Sequence, residues 1–326
     1  MADELLINLH THLEGRVRPS TAAELAAQAG LPEPVGGWAR ALQLDGPADL
    51  TVFLDKVGAS YPFFGSVQGL GRIASEAVQD AAADGVDYLE LRFGPSSHVR
   101  PGLDFDDLIR AVCDGVREGT RLSGMPAGVV VAALRRYPTE VNVQVAKAAA
   151  RFAGAGVVGF DLAGNELRYP DLERHVEPFA IARAAGLGLT CHAAEAAPAP
   201  AARDAVRLFG VSRIGHGAHV ANDPEVLRWA ADSGVVLEVC PTSNWFTGAI
   251  AQIGEHPAAR FARAGVSVVL GDDNPVQTGS PMSAERAVLR DQLGFTDAEL
   301  LAVETVSVTA AFADDSVRAS LAARLR

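Results

Sequence analysis

Eight short apolar runs, most of them separated by longer helix-patterned segments, constrain this fold more than any other feature. They are Leu5–His12, Val86–Phe93, Val129–Leu134, Val157–Leu162, Gly188–His192, Ser212–His216, Val235–Val239 and Ser267–Leu270. Each is rich in leucine or β-branched residues, and most close on glycine, proline or a polar residue, as buried strands do. The segments Gly69–Asp84, Phe105–Ser123, Glu140–Ala153, Leu172–Ala185, Ala202–Phe209 and Pro224–Asp232 space their apolar residues as helices do. Such alternation predicts a parallel sheet with helices outside it, and eight units close into a barrel. The expected class is therefore α/β, a (βα)8 TIM-type barrel spanning residues 1–326. A doubly wound open sheet is the alternative, but no G-x-G-x-x-G follows any strand.

The stretch 16–66 interrupts the alternation after the first strand. It carries Ser20-Thr-Ala-Ala-Glu24, read as an N-cap before a helix, and the helical run Leu50–Val57. Insertions after barrel strands lie on the catalytic face, so this one is expected to be a helical, substrate-covering element. A net charge of −12 argues against nucleic acid and anionic membranes as partners. Met1 to Leu6 carry acids rather than the basic start of a secretory signal, and no apolar stretch reaches membrane-spanning length. Cys113, Cys191 and Cys240 are sparse and form no C-x-x-C pair, as expected of reduced thiols in a cytoplasmic protein. Whether the chain forms a homo-oligomer is left open.

Polar residues gather where the strands end. The first strand closes on His10-Thr-His12, whose two imidazoles share one side of a strand. The fifth closes on Thr190-Cys-His-Ala-Ala-Glu195, the sixth on Gly215-His216-Gly-Ala-His219, and the eighth on Gly271-Asp-Asp-Asn274. Three histidines and an aspartate from three strand ends can complete a zinc site that keeps a position open for water. The fourth strand end, Gly159-Phe-Asp-Leu-Ala-Gly164, lacks the lysine that bridges two ions on related barrels, so one Zn2+ per chain is expected.

Taken together these motifs resemble the adenosine deaminase family of the amidohydrolase superfamily. The resemblance rests on Leu9-His-Thr-His-Leu-Glu-Gly15, Tyr88-Leu-Glu-Leu-Arg-Phe-Gly-Pro95, Gly159-Phe-Asp-Leu-Ala-Gly-Asn-Glu166 and Thr190-Cys-His-Ala-Ala-Glu195. Arg213-Ile-Gly-His-Gly217, Leu237-Glu-Val-Cys-Pro-Thr-Ser243 and Gly271-Asp-Asp-Asn-Pro275 complete it, in order, across nearly the whole chain. It implies zinc ligands at His10, His12, His192 and Asp272. It implies Glu195 as the group that shuttles a proton to purine N1, His216 as the residue positioning and helping to deprotonate water, and Asp273 as a hydrogen-bond acceptor for purine or water. Gly164 would meet purine N3 through its N–H, Glu14 would lie at the sugar end, and Phe53 with Leu54 would form an apolar gate. Arg16, next to Glu14-Gly15, is read as a candidate for an anionic group on the 5′ side. Glu166 is divided between a structural and a functional role, His219 is placed behind the site, Cys240 in packing, and His98, His175 and His256 on the surface.

Glu14 stands where adenosine-specific members carry aspartate, Gly94 where serine is commoner, and Ala194 where glycine precedes the catalytic glutamate. The implied activity is hydrolytic conversion of a 6-aminopurine nucleoside, adenosine or a 5′-modified one such as aminodeoxyfutalosine, to the 6-oxopurine with release of ammonia. Deamination of free adenine is the alternative. A cytidine-deaminase-type enzyme is disfavoured because neither H-x-E nor P-C-x-x-C occurs, and a non-catalytic module because every catalytic position is filled.

Overall fold

A computed structural model of the chain describes residues 5–325. Strands β1 (Ile7–His12), β2 (Tyr88–Phe93), β3 (Ala127–Leu134), β4 (Val157–Ala163), β5 (Gly188–Ala193), β6 (Arg213–His216), β7 (Val236–Val239) and β8 (Ser267–Leu270) pair in sequence order. All seven pairings are parallel. β8 returns to β1 through a single parallel bridge, Thr11↔Asp273, which brings the ends of the sheet together in a barrel. Every expected strand is present, with ends that differ by no more than two residues.

Between strands the chain forms the expected helices, among them Val67–Ala83, Phe105–Ser123, Thr139–Arg151 and Pro224–Ser233. Helix Phe105–Ser123 starts on a capping box of Asp104 and Asp107 and stops at Gly124, whose φ of 78° ends it. The insertion holds helices Pro19–Gln28, Gly37–Leu42 and Leu50–Gly58 and a 3-10 turn at Tyr61–Phe64. Ser20 is not an N-cap: the helix starts at Pro19, because a proline in the first turn forfeits only an amide that would be unpaired there anyway. Among the described residues, four α-helices and one π-helical turn, Val288–Gln292, follow β8, ending with Asp297–Ala310 and Asp315–Ala322.

An apolar shell joins the strands to the surrounding helices, and a smaller cluster including Leu5, Ile7, Leu9, Tyr88, Val269 and Val308 lies near the start of β1. The barrel interior, by contrast, is ionic. Glu90, Arg92, Asp161, Arg213 and Glu238 are all fully buried. Arg92 pairs with Glu238 (2.9 Å) and Asp161 (3.3 Å), and Arg213 with Glu238 (2.7 Å) and Glu90 (2.5 Å). Charges buried this deeply persist only when paired. This network ties β2, β4, β6 and β7 together and lies directly behind the polar strand ends.

Candidate functional site

Among the described residues, three other than glycine have positive φ, and all lie just beyond or at a strand end: Ala194 (54°), His216 (63°) and Asp273 (54°). Such backbone is costly for side-chain-bearing residues and concentrates at functional sites. The last two turn titratable groups toward the histidines of β1 and β5. His10, His12, His192 and Asp273 bring one ligand atom each to within 4.8 Å of one another.

The ionic network fixes those rings. His10 Nδ1 lies 2.7 Å from Glu238 Oε2, and His192 Nδ1 lies 3.0 Å from Asp161 Oδ2. Burial opposes charge on both carboxylates. Arg92 and Arg213 around Glu238, and His192 with Arg92 around Asp161, nonetheless hold them below the ordinary carboxylate range. Each carboxylate faces an Nδ1, which leaves Nε2 as the ring nitrogen turned to the centre. His10 Nε2 is buried and makes no hydrogen bond, and the Nε2 atoms of His12 and His192 face each other at 3.1 Å. Burial pushes the pKa of His12 down to about 3, which keeps it neutral. Unpaired lone pairs aimed at one point, opposite a carboxylate, fit a borderline cation such as Zn2+. Gly271 permits the close approach, since a Cβ there would lie 2.5 Å from His10 Cβ.

The aspartate in this group is Asp273, not Asp272. The backbone of Asp273 exchanges two hydrogen bonds with β1, from its N–H to His10 O (3.0 Å) and from His12 N–H to its O (2.7 Å). Its side chain is thereby locked beside the histidines, with Oδ1 3.4 Å from His12 Nε2 and Oδ2 accepting from Ser243 Oγ at 2.5 Å. Asp272 instead pairs with the buried guanidinium of Arg16. That pairing also removes Arg16 from the substrate side: its Nε donates to Thr11 Oγ1 (2.8 Å), and it does not line the cavity. The residue beyond Asp273, Asn274, does line it and has a buried, unpartnered Oδ1.

A cavity of about 510 Å3 opens over the group, a size that suits a small molecule. Glu14, Phe53, Leu54, Gly164, Glu195 and His216 line it together with His12, His192 and Asp273. Gly164 has φ of 108°, which few other residues could adopt. Glu195 is buried, and that burial, followed by the charges of Asp273 and Glu166, pushes its pKa well above the ordinary range. Glu166 holds the loop carrying Glu195: its carboxylate accepts the backbone N–H groups of Ala194, Glu195 and Ala196 at 2.9–3.0 Å. Its role is therefore to position that loop. Glu14 accepts from Gly94 N–H (3.0 Å) and His98 Nε2 (3.2 Å) through Oε1, while its buried Oε2 has no partner.

The adenosine deaminase family model matches residues 6–326. An adenosine deaminase of Mycobacterium marinum is 35% identical over 308 residues, covering 88% of this chain and 84% of the relative. The chain belongs to the adenosine deaminase family. Within that family, an adenine deaminase of Rhizobium leguminosarum is 33% identical over 323 residues, 98% of each chain. An amidohydrolase of Burkholderia ambifaria, solved with bound zinc, superposes with a TM-score of 0.89 at 25% identity, over 99% of this chain and 89% of that one. As a member of the adenosine deaminase family, the protein is a hydrolytic deaminase.

Several side chains were missed or misplaced by sequence reasoning. His98, His175 and His256 are all buried rather than on the surface. His98 stacks on Phe64 and supports Glu14, and His256 contacts Asn244, which in turn contacts His216. A lone histidine has no periodicity to report its burial. The polar residues Arg92, Asp161 and Glu238, sitting inside strands that otherwise read as core, were the available signal of a barrel interior built from charge. His219 bonds to the carbonyls of Ala197 and Ala249 outside the cavity lining, and Cys240 is buried.

Proposed function

We propose that this deaminase converts a 6-aminopurine nucleoside to its 6-oxo product, using one Zn2+ held by His10, His12, His192 and Asp273. The observation that carries the reading is a buried carboxyl of raised pKa, Glu195, in the same cavity as a convergent group of three histidines and an aspartate. A zinc ion bound there supplies Lewis acidity and lowers the pKa of water. Glu195, whose burial favours the protonated carboxyl, takes a proton from the attacking water and passes it to ring N1, making C6 electrophilic. Water adds at C6, the 6-amino group leaves as ammonia, and an oxo group remains.

The sugar side supports a nucleoside over the free base. The Glu14 carboxyl is held below its ordinary pKa: burial is the largest single influence and opposes the charge, but His98, His12 and the Gly94 N–H together outweigh it. Its unpaired Oε2 is a buried acceptor that a sugar hydroxyl would satisfy and a bare purine would leave stranded. Phe53 and Leu54, on helix Leu50–Gly58, give the insertion its substrate-covering role in this reading. A cytoplasmic setting goes with three free, buried cysteines.

A second reading concerns the 5′ substituent. Arg136 and Arg168, both exposed, also line the cavity. They favour an anionic 5′ extension, as in aminodeoxyfutalosine, with no part played by Arg16. Arg136→Ala and Arg168→Ala should each lower kcat/KM by about 2–5-fold for a 5′-carboxylated adenosine and leave a neutral 5′ analogue unaffected, since exposed ion pairs are weak.

Absorbance assays on adenosine, adenine and 5′-substituted adenosines test the main reading. A nucleoside should exceed adenine in kcat/KM by at least about tenfold. Preference for adenine would favour the free-base alternative, and turnover of none would end the proposal.

A further inference from the structure

The imidazole of His216 has a polar neighbour beside each nitrogen, and hydrogen-bonds through one of them. Nε2 lies 3.8 Å from Glu195 Oε2, and Nδ1 lies 3.0 Å from Asn244 Nδ2. The second contact belongs to a buried chain that begins at a backbone amide. Ala258 N–H donates to His256 Nδ1 at 3.2 Å. A backbone amide only donates, so His256 Nδ1 carries no proton. Burial pushes the pKa of His256 down to about 3, which leaves the ring neutral with its one proton on Nε2. That N–H donates to Asn244 Oδ1 at 3.1 Å. The other end of the Asn244 amide is then its NH2 group, which donates to His216 Nδ1. Every link has a single direction, set by the first.

We propose that Asn244 and His256 are positioning residues that fix His216 as its Nε2–H tautomer, so that His216 meets the attacking water as a hydrogen-bond donor and not as its base. The inference rests on the deaminase reading above. A His216 ring with a bare Nε2 would carry its proton on Nδ1 and set two donors against each other at Asn244. Rotating the Asn244 amide moves the conflict to His256 Nε2–H, and switching that ring moves it to Ala258 N–H, which cannot invert. With His216 committed as a donor, the proton leaving the water goes to Glu195 and then to N1. His216 holds a lone pair of the attacking oxygen and so aims it.

Long-range proton–nitrogen NMR on the metal-loaded, 15N-histidine-labelled enzyme reads the tautomer directly, with His216 assigned by comparison with His216→Asn. A protonated Nε2 and bare Nδ1 are expected, and an Nδ1–H ring in an enzyme that releases ammonia overturns the proposal. Asn244→Asp exchanges the donor for an acceptor of the same shape. It should switch His216 to Nδ1–H and lower kcat by about 10²–10⁴-fold with little change in KM, the range expected when a catalytic histidine is held in the wrong tautomer. An unchanged kcat alongside a switched tautomer also overturns it. Should Asn244→Asp fail to fold, the wild-type spectrum decides alone, with His256→Leu as the second variant, expected to lose the single-tautomer signal. The expected tautomer in a protein that deaminates no 6-aminopurine would count against the deaminase reading, and the donor role would fall with it.

Discussion

Asp272 and Asp273 are adjacent, chemically identical and oppositely directed. Strand periodicity cannot tell them apart, because β8 ends at Leu270 and the positive φ of Asp273 breaks the alternation that would assign sides. What separates them is the pair of backbone hydrogen bonds from Asp273 to β1, a contact between the two ends of the chain's barrel. His10, His12, His192 and Glu195 were legible because each sits in a strong local motif. Asn244 was not, because its meaning comes from neighbours on other elements. Asp273→Asn should therefore purify with little bound zinc while Asp272→Asn retains it, and elemental analysis showing the reverse would move the ligand back to Asp272. Glu195→Gln should keep its fold and metal yet lose about 10²–10⁴-fold in kcat, since it holds a proton the transition state needs. A variant retaining most of its kcat would remove Glu195 from proton transfer.

At the scale of elements, short β-branched runs between helix-spaced segments carry enough information to place all eight strands. The sequence says less about what fills the space they enclose. Buried Arg92, Arg213 and Glu238 join strands far apart in sequence, and no local pattern records which partner each will meet. Glu238 also holds His10 Nδ1, so it serves both the barrel and the site. Glu238→Gln leaves two buried guanidinium groups short of charge. Unfolding should become easier by about 3–5 kcal/mol, the cost of breaking a buried pair from one side. Zinc affinity should fall about 10–100-fold through the loss of the His10 partner. Denaturant titration and competition with a chelator measure the two effects, and a variant unchanged in both would reduce the network to filling.

Over the whole molecule the buried titratable groups set the response to acid. Burial holds His256 at about 3, and burial with Arg135 holds His175 at about 4, against 6.5 for an exposed ring. Below pH 6.5 the unfolded chain takes up protons that the fold refuses, so stability falls as pH falls toward those values. Glu285, raised by burial from 4.5 to about 7, works in the opposite direction and offsets one of the two histidines between those values. Below about pH 4 the depressed carboxyls of Asp161 and Glu238 add to the loss. The melting temperature should therefore decline gently from pH 6.5 to about 4 and steeply below, and a profile that is flat or rises toward acid would contradict this assignment of charge. The site inside that fold makes a sharper claim, that water supplies the oxygen that replaces an amino group on a purine. The most direct test is to incubate the zinc-loaded enzyme with adenosine and 5′-substituted adenosines in 18O-labelled water, measuring product mass and ammonia together. One ammonia should be released for each 6-oxopurine formed, with the heavy isotope in that oxo group; no ammonia from any of these substrates, or product without the label, would contradict hydrolytic 6-deamination.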